Sequence, residues 1–110
     1  MKLISIGIVI AERKLSLSSK DSVTVRIGKP EPFPDNNGFY CPYQILGLGD
    51  QKVRYAGGED TVQALILTLQ TIGTVLDASN EAKNGELTWN GGQDLGFPDT
   101  DSDFARDASP

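Results

Sequence analysis

The sequence predicts an α+β fold, an antiparallel sheet of four or five strands with one long helix packed across one face. Three observations carry that expectation. The helix signal is concentrated in residues 57–76, where G-G-E-D-T-V-Q opens a segment that meets no charged side chain between Thr61 and Leu76. Upstream, apolar and polar residues alternate with a period of two in short runs separated by Gly, Pro and Asn, the pattern of strands and turns. A run of strands followed by one helix and one last short strand segregates the two element types, as in an antiparallel sheet with a helix laid on it.

The first strand is expected over residues 3–11, where Ile4, Ile6, Ile8 and Ile10 alternate with Leu3, Ser5, Gly7, Val9 and Ala11. Its middle is apolar on both sides, which predicts a central position in the sheet. After Ala11 the parity changes, with Glu12, Lys14 and Ser16 taking the isoleucines' side and Leu15 and Leu17 the other. That predicts a bulge or bend around residues 12–14. Residues 18–22 read as a turn, and Val23, Val25 and Ile27 alternate with Thr24, Arg26 and Gly28 as a second strand in hairpin with the first.

Residues 29–38, K-P-E-P-F-P-D-N-N-G, hold three prolines and an Asn-Gly turn signal. Without amide donors this segment is expected to be a stiff surface loop outside the ladder. A third strand follows over residues 39–48, with Pro42 expected at an edge or bulge that interrupts it. Gly47, Gly49 and Asp50 reverse the chain, and residues 52–56 make a short strand with Val53 and Tyr55 on one face.

The helix begins at Asp60, which can accept from the backbone of Gln63 while the Gln63 side chain reaches back. Val62, Leu65, Ile66, Leu69, Ile72, Gly73 and Leu76 share one broad stripe predicted to face the core. Gln63, Leu67, Gln70, Thr71 and Thr74 form a neutral opposite side, where a solvated helix ordinarily carries Lys and Glu. D-A-S-N-E-A-K-N-G ends the helix, Asn84-Gly85 being the plainest stop. Leu87 and Trp89 mark a brief last strand or docking segment, and Leu95 and Phe97 are the expected anchors of the remainder. Residues 1–98 thus read as a single α+β domain, and residues 99–110 as an acidic, flexible tail.

Composition excludes several classes of function. The net charge is −5, but residues 1–90 hold nine Lys or Arg against ten Asp or Glu, so the excess lies in the last twenty residues. A nearly neutral body argues against nucleic-acid binding, which needs a basic face. One cysteine, Cys41, and no Asn-x-Ser/Thr sequon favour a cytoplasmic location. Lys2 ahead of apolar residues 3–9 has the outline of a short signal peptide, yet the same residues make a good strand, which is the preferred reading. No run approaches the roughly 20 apolar residues a membrane-spanning helix needs.

The successions C-P-Y-x-I-x-G-L-G over residues 41–49, A-G-G-x-D-x-V-Q-A-L over residues 56–65, and L-T-W with D-L-G-F-P between Leu87 and Pro98 resemble a family of small uncharacterised bacterial proteins. The resemblance covers the second half of the chain. It implies a compact bacterial domain without an assigned activity, some relatives of which read as immunity or partner-binding proteins, and it carries over no functional residue.

The chain has no His, which removes His-dependent triads and imidazole metal sites. Cys41, with aromatic neighbours and no His partner, reads as a packed core thiol before it reads as a nucleophile. Asp99, Asp101 and Asp103 open like a calcium loop, but Phe104 stands where Gly is needed and Pro110 where a bidentate Glu is needed. Gly57-Gly58 precedes a helix start, yet Glu59 and Asp60 already bring negative charge there and no P-loop Lys follows. No catalytic residue, metal site or cofactor is therefore expected.

What remains is the neutral stripe Gln63, Leu67, Gln70 and Thr74, spaced i, i+4, i+7, i+11 along one side of the helix. Either the carboxy-terminal segment covers it through Leu95, Phe97 or Phe104, or it binds something. The leading expectation is a non-enzymatic bacterial interaction domain that takes a protein partner or a second copy through the helix's neutral side or the proline loop of residues 29–38, in the manner of an immunity protein. The first alternative is a small-ligand or enzymatic site between the sheet and the loop of residues 29–38, lined by Tyr40, Tyr43, Tyr55 and Arg54. The second is a structural role as a subunit of a homo-oligomer.

Overall fold

A hairpin of two long strands, β1 (Val9–Leu17) and β2 (Asp21–Gly28), organises the sheet. A computed structural model describes residues 5–18 and 20–99. Then come β3 (Glu31–Pro32), β4 (Phe39–Leu46), β5 (Arg54–Gly58), the helix α1 (Thr61–Asp77), a single turn α2 (Asn80–Lys83) and β6 (Leu87–Thr88). The strand order is β3-β4-β2-β1-β6, with β5 paired to β4, and every pairing is antiparallel. The fold is α+β as expected, with six strands among the described residues rather than four or five.

In β2 the alternation has its predicted consequence. Val23, Val25 and Ile27 are buried, facing Leu15, Cys41, Tyr43 and Ile45 in one core with Ile72, Leu76, Leu87 and Leu95. The first strand differs from expectation. It begins at Val9, and Ile8 and Ile10 are 63% and 49% exposed. The register shifts between Val9 and Ala11, so the irregularity lies at Ile10, ahead of the expected residues 12–14. The extra residue turns the odd positions toward the helix, which is why Leu15 is buried and Glu12 and Lys14 are exposed. Nor is β1 central along its length, since β6 meets it only at Ser16 and Leu17. Ile4 lies outside the described residues.

The proline segment contributes to the sheet after all. Glu31 and Pro32 pair with Tyr40 and Phe39, and Phe33 N donates to Gly38 O at 3.0 Å to close the turn. A two-residue edge strand asks few donors of its chain, so Pro is tolerated there. For the same reason β4 runs unbroken through Pro42, which stands where the neighbouring edge passes from β2 (Tyr43 with Ile27) to β3 (Tyr40 with Glu31). The next strand falls two residues later than expected, at Arg54–Gly58, because Asp50 Oδ1 accepts from Lys52 N and keeps that stretch in the turn.

Helix α1 starts as the sequence implies, with Asp60 Oδ1 accepting from Gln63 N at 2.7 Å. Gln63 Oε1 accepts from Glu59 N at 2.7 Å, one residue earlier than a standard capping box. The buried face is rotated from the predicted stripe. Ala64, Thr68, Ile72 and Leu76 are wholly buried, Leu65 and Leu69 pack from the flank, and Val62 is 63% exposed. Small side chains at the centre let the helix approach the strands closely. A Cβ on Gly58 would lie 2.5 Å from Ala64 N, and Thr68 Oγ1 donates to Cys41 O at 3.0 Å. At Gly85, φ +75 reverses the chain after α2.

Candidate functional site

Gln63, Leu67 and Thr74 stand exposed on the side of α1 away from the sheet, as their spacing requires. Two hydroxyls on this side turn inward, Thr71 Oγ1 donating to Leu67 O at 2.7 Å and Thr74 Oγ1 to Gln70 O at 3.1 Å. Satisfied by their own helix, they lower the polarity of a face already without charge. Leu67 is 37% exposed at its centre. The fourth member departs from the group. Gln70 is buried, and its Nε2 donates to Asp99 O at 3.2 Å.

Gln70 is covered because the carboxy-terminal segment folds back along the helix. Leu95 is buried and Phe97 lies against Gly73, so both act as the anchors the sequence suggests. Arg13, which sequence reasoning passes over, holds this segment down. Its Nη1 donates to Leu95 O at 3.1 Å and Gly96 O at 2.9 Å, and its guanidinium sits 3.9 Å from the Trp89 ring centroid and 4.9 Å from that of Phe97. The tail beyond Asp99, including Phe104 and the remaining calcium-loop positions, lies outside the described residues.

The sheet divides the candidate lining set of Tyr40, Tyr43, Tyr55 and Arg54. Register pairs Pro42 with Tyr55 and Tyr43 with Arg54, and paired residues share a face. Tyr40 and Tyr55 therefore lie on the side away from α1. There Phe33 fills the space beneath the loop, the three ring centroids standing 5.4 to 5.8 Å apart. Tyr43 and Arg54 face the helix side instead, in a cleft of about 260 Å³ between the β4–β5 turn and the carboxyl end of α1. Burial raises the Tyr43 phenol above its ordinary range, the Arg54 charge opposing that shift in part. Arg54 Nη2 is itself 2.7 Å from Asp50 Oδ2, whose carboxyl is held below the usual range chiefly by Lys52 N–H.

Asp77, Asp94 and Asp99 line a hollow of about 290 Å³ beside Gly73. Desolvation raises the Asp77 carboxyl, and the Asp99 and Asp94 charges add to it. Among the described residues no group of three or more His, Cys, Asp or Glu is placed to hold a metal ion. Cys41 is wholly buried, with its thiol raised by desolvation. No helix of the described residues is long and apolar enough to cross a membrane.

Fold and surface together define a small antiparallel-sheet domain with a single covering helix whose outer side is neutral. The family comparison places it further. Residues 11–99 match the family described as a domain of unknown function, DUF6968, and the chain belongs to that family. Neither the curated proteins nor the solved structures contain a match.

Proposed function

We propose that this chain is a non-enzymatic bacterial protein-interaction domain that binds its partner through the outer side of α1, at Gln63, Leu67 and Thr74, in the manner of an immunity protein. One observation carries the reading. A seventeen-residue helix presents to solvent a side with no formal charge before Asp77, with its threonine hydroxyls bonded inward and Leu67 at its centre. Surfaces depleted in charge at their centre are characteristic of interface cores. Gln70 enters the surface only where the carboxy-terminal segment lifts.

The test is sedimentation in solution together with Leu67→Glu. The expected outcome is a complex, with a second protein or a second copy, that the folded variant no longer forms. A folded monomer whose binding is the same with and without the substitution would refute the reading.

A small-ligand role is the second reading. The cleft at Tyr43 and Arg54 favours it, away from the loop of residues 29–38, where Phe33 occupies the space.

A further inference from the structure

Tyr43 is 96% buried, at 4% exposure, and its hydroxyl makes no hydrogen bond among the described residues. A polar group left unpaired at the wall of a cleft is available to whatever enters it, and such groups in a folded protein call for an explanation. The ring lines the cleft of about 260 Å³ beside the β4–β5 turn, and the charges that act on the hydroxyl, Arg54 and Asp50, line the same cleft. Ile45, Leu48 and Val75 supply apolar wall, Val75 being 44% exposed.

The remaining groups carry both signs. Arg54 is paired with Asp50 at 2.7 Å. Lys52 and Glu81 line the cleft and take part in no ion pair among the described residues. Ser79 is already committed, donating to Leu76 O at 2.6 Å and accepting from Ala82 N at 3.1 Å. Three functions without a direct ion pair or side-chain hydrogen bond among the described residues thus surround one apolar floor: a phenol that can donate, an ammonium that acts on Asp50 only at longer range, and a carboxylate. The volume falls just below the range of drug-sized sites, roughly 300–1,000 Å³, and suits a smaller molecule.

We propose that this cleft binds a small zwitterion of the α-amino-acid class with an aliphatic side chain. The ligand carboxylate meets Lys52 and the Tyr43 hydroxyl, its ammonium meets Glu81, and its side chain lies on Ile45, Leu48 and Val75. The proposal rests on the small-ligand reading of this cleft and is independent of the outer side of α1.

The experiment is NMR titration of the full chain with L-leucine, against glycine, leucinamide and 4-methylpentanoate, which lack the side chain, the carboxylate and the amine. Saturable shifts centred on Tyr43, Lys52 and Glu81 with leucine, weakened by each deletion, are expected. Tyr43→Phe keeps the ring and its packing, so the variant folds. It should weaken leucine binding about fivefold to tenfold, the worth of one hydrogen bond near 1 kcal/mol. Shifts that fail to saturate by ~20 mM, beyond any affinity of use here, or leucine binding unchanged in Tyr43→Phe, would overturn the proposal.

Discussion

Replacing Arg13 by Ala should release the carboxy-terminal segment from the sheet while leaving the hairpin standing. The side chain makes two hydrogen bonds to carbonyls, at 3.1 and 2.9 Å, each worth about 1 kcal/mol net and more when the donor is charged. Its stacking on Trp89 at 3.9 Å and Phe97 at 4.9 Å adds ~0.5–1 kcal/mol at a half-exposed site. The expected loss is therefore about 2–3 kcal/mol in urea unfolding, a large part of a typical domain stability of ~5–15 kcal/mol. Arg13→Lys should recover less than half, because an ammonium cannot present the planar fork that spans two carbonyls and stacks on a ring. Hydrogen exchange would add the local readout, with faster exchange around Leu95 and Gly96 and little change in β2. A loss below roughly 0.5 kcal/mol, within the range of ordinary surface substitutions, would refute the reasoning.

Other substitutions separate the helix's faces and its titrating groups. Ile72→Ala should cost about 2–5 kcal/mol, whereas Leu69→Ala on the half-buried flank should cost clearly less; equal losses in urea unfolding would show the rotation of the helix to be misjudged. Asp77 has a folded pKa above its unfolded value, so the folded state holds its proton more tightly and stability falls as pH rises through that window. Asp77→Asn should accordingly raise Tm at neutral pH and flatten the gain on acidification, and an unchanged pH profile would count against it. Cys41, buried and raised, should react with a thiol reagent only as fast as the protein opens; rapid labelling of the native protein would contradict its placement.

Features whose causes are local were legible in the sequence. Asp60 and Gln63 announce the helix start within four residues, and Val23, Val25 and Ile27 announce a strand by alternation, whereas Gly85, the expected end of the long helix, closes α2, α1 having already ended at Asp77. Features that depend on distant partners were not. Arg13 looks like a surface charge until Trp89, Leu95 and Phe97, more than seventy-five residues later, are folded onto it. The helix is rotated because Ala64 and Thr68 allow close approach over Gly58 and Cys41, a matter of backbone distance that a hydrophobic stripe does not encode. Pro42 is admitted into a strand by a change of neighbours along one edge.

The candidate surfaces divide the same way. Gln63, Leu67 and Thr74 share a side by helical spacing alone, but the burial of Gln70 required the returning segment. The cleft at Tyr43 draws on β4, the following turn, the carboxyl end of α1 and α2, and no single stretch of sequence contains it. Its one local trace is the i, i+4 pair of Asp50 in the turn and Arg54 at the start of β5.

The central claim is that α1 lies on the sheet along Ala64, Thr68, Ile72 and Leu76 and leaves the side around Leu67 facing water. Methyl relaxation by a soluble gadolinium chelate reads it directly in the monomer. Strong broadening of Leu67 and Val62 with Ile72 and Leu76 untouched is the predicted result, and a protected Leu67, or uniform broadening along the helix, would contradict it.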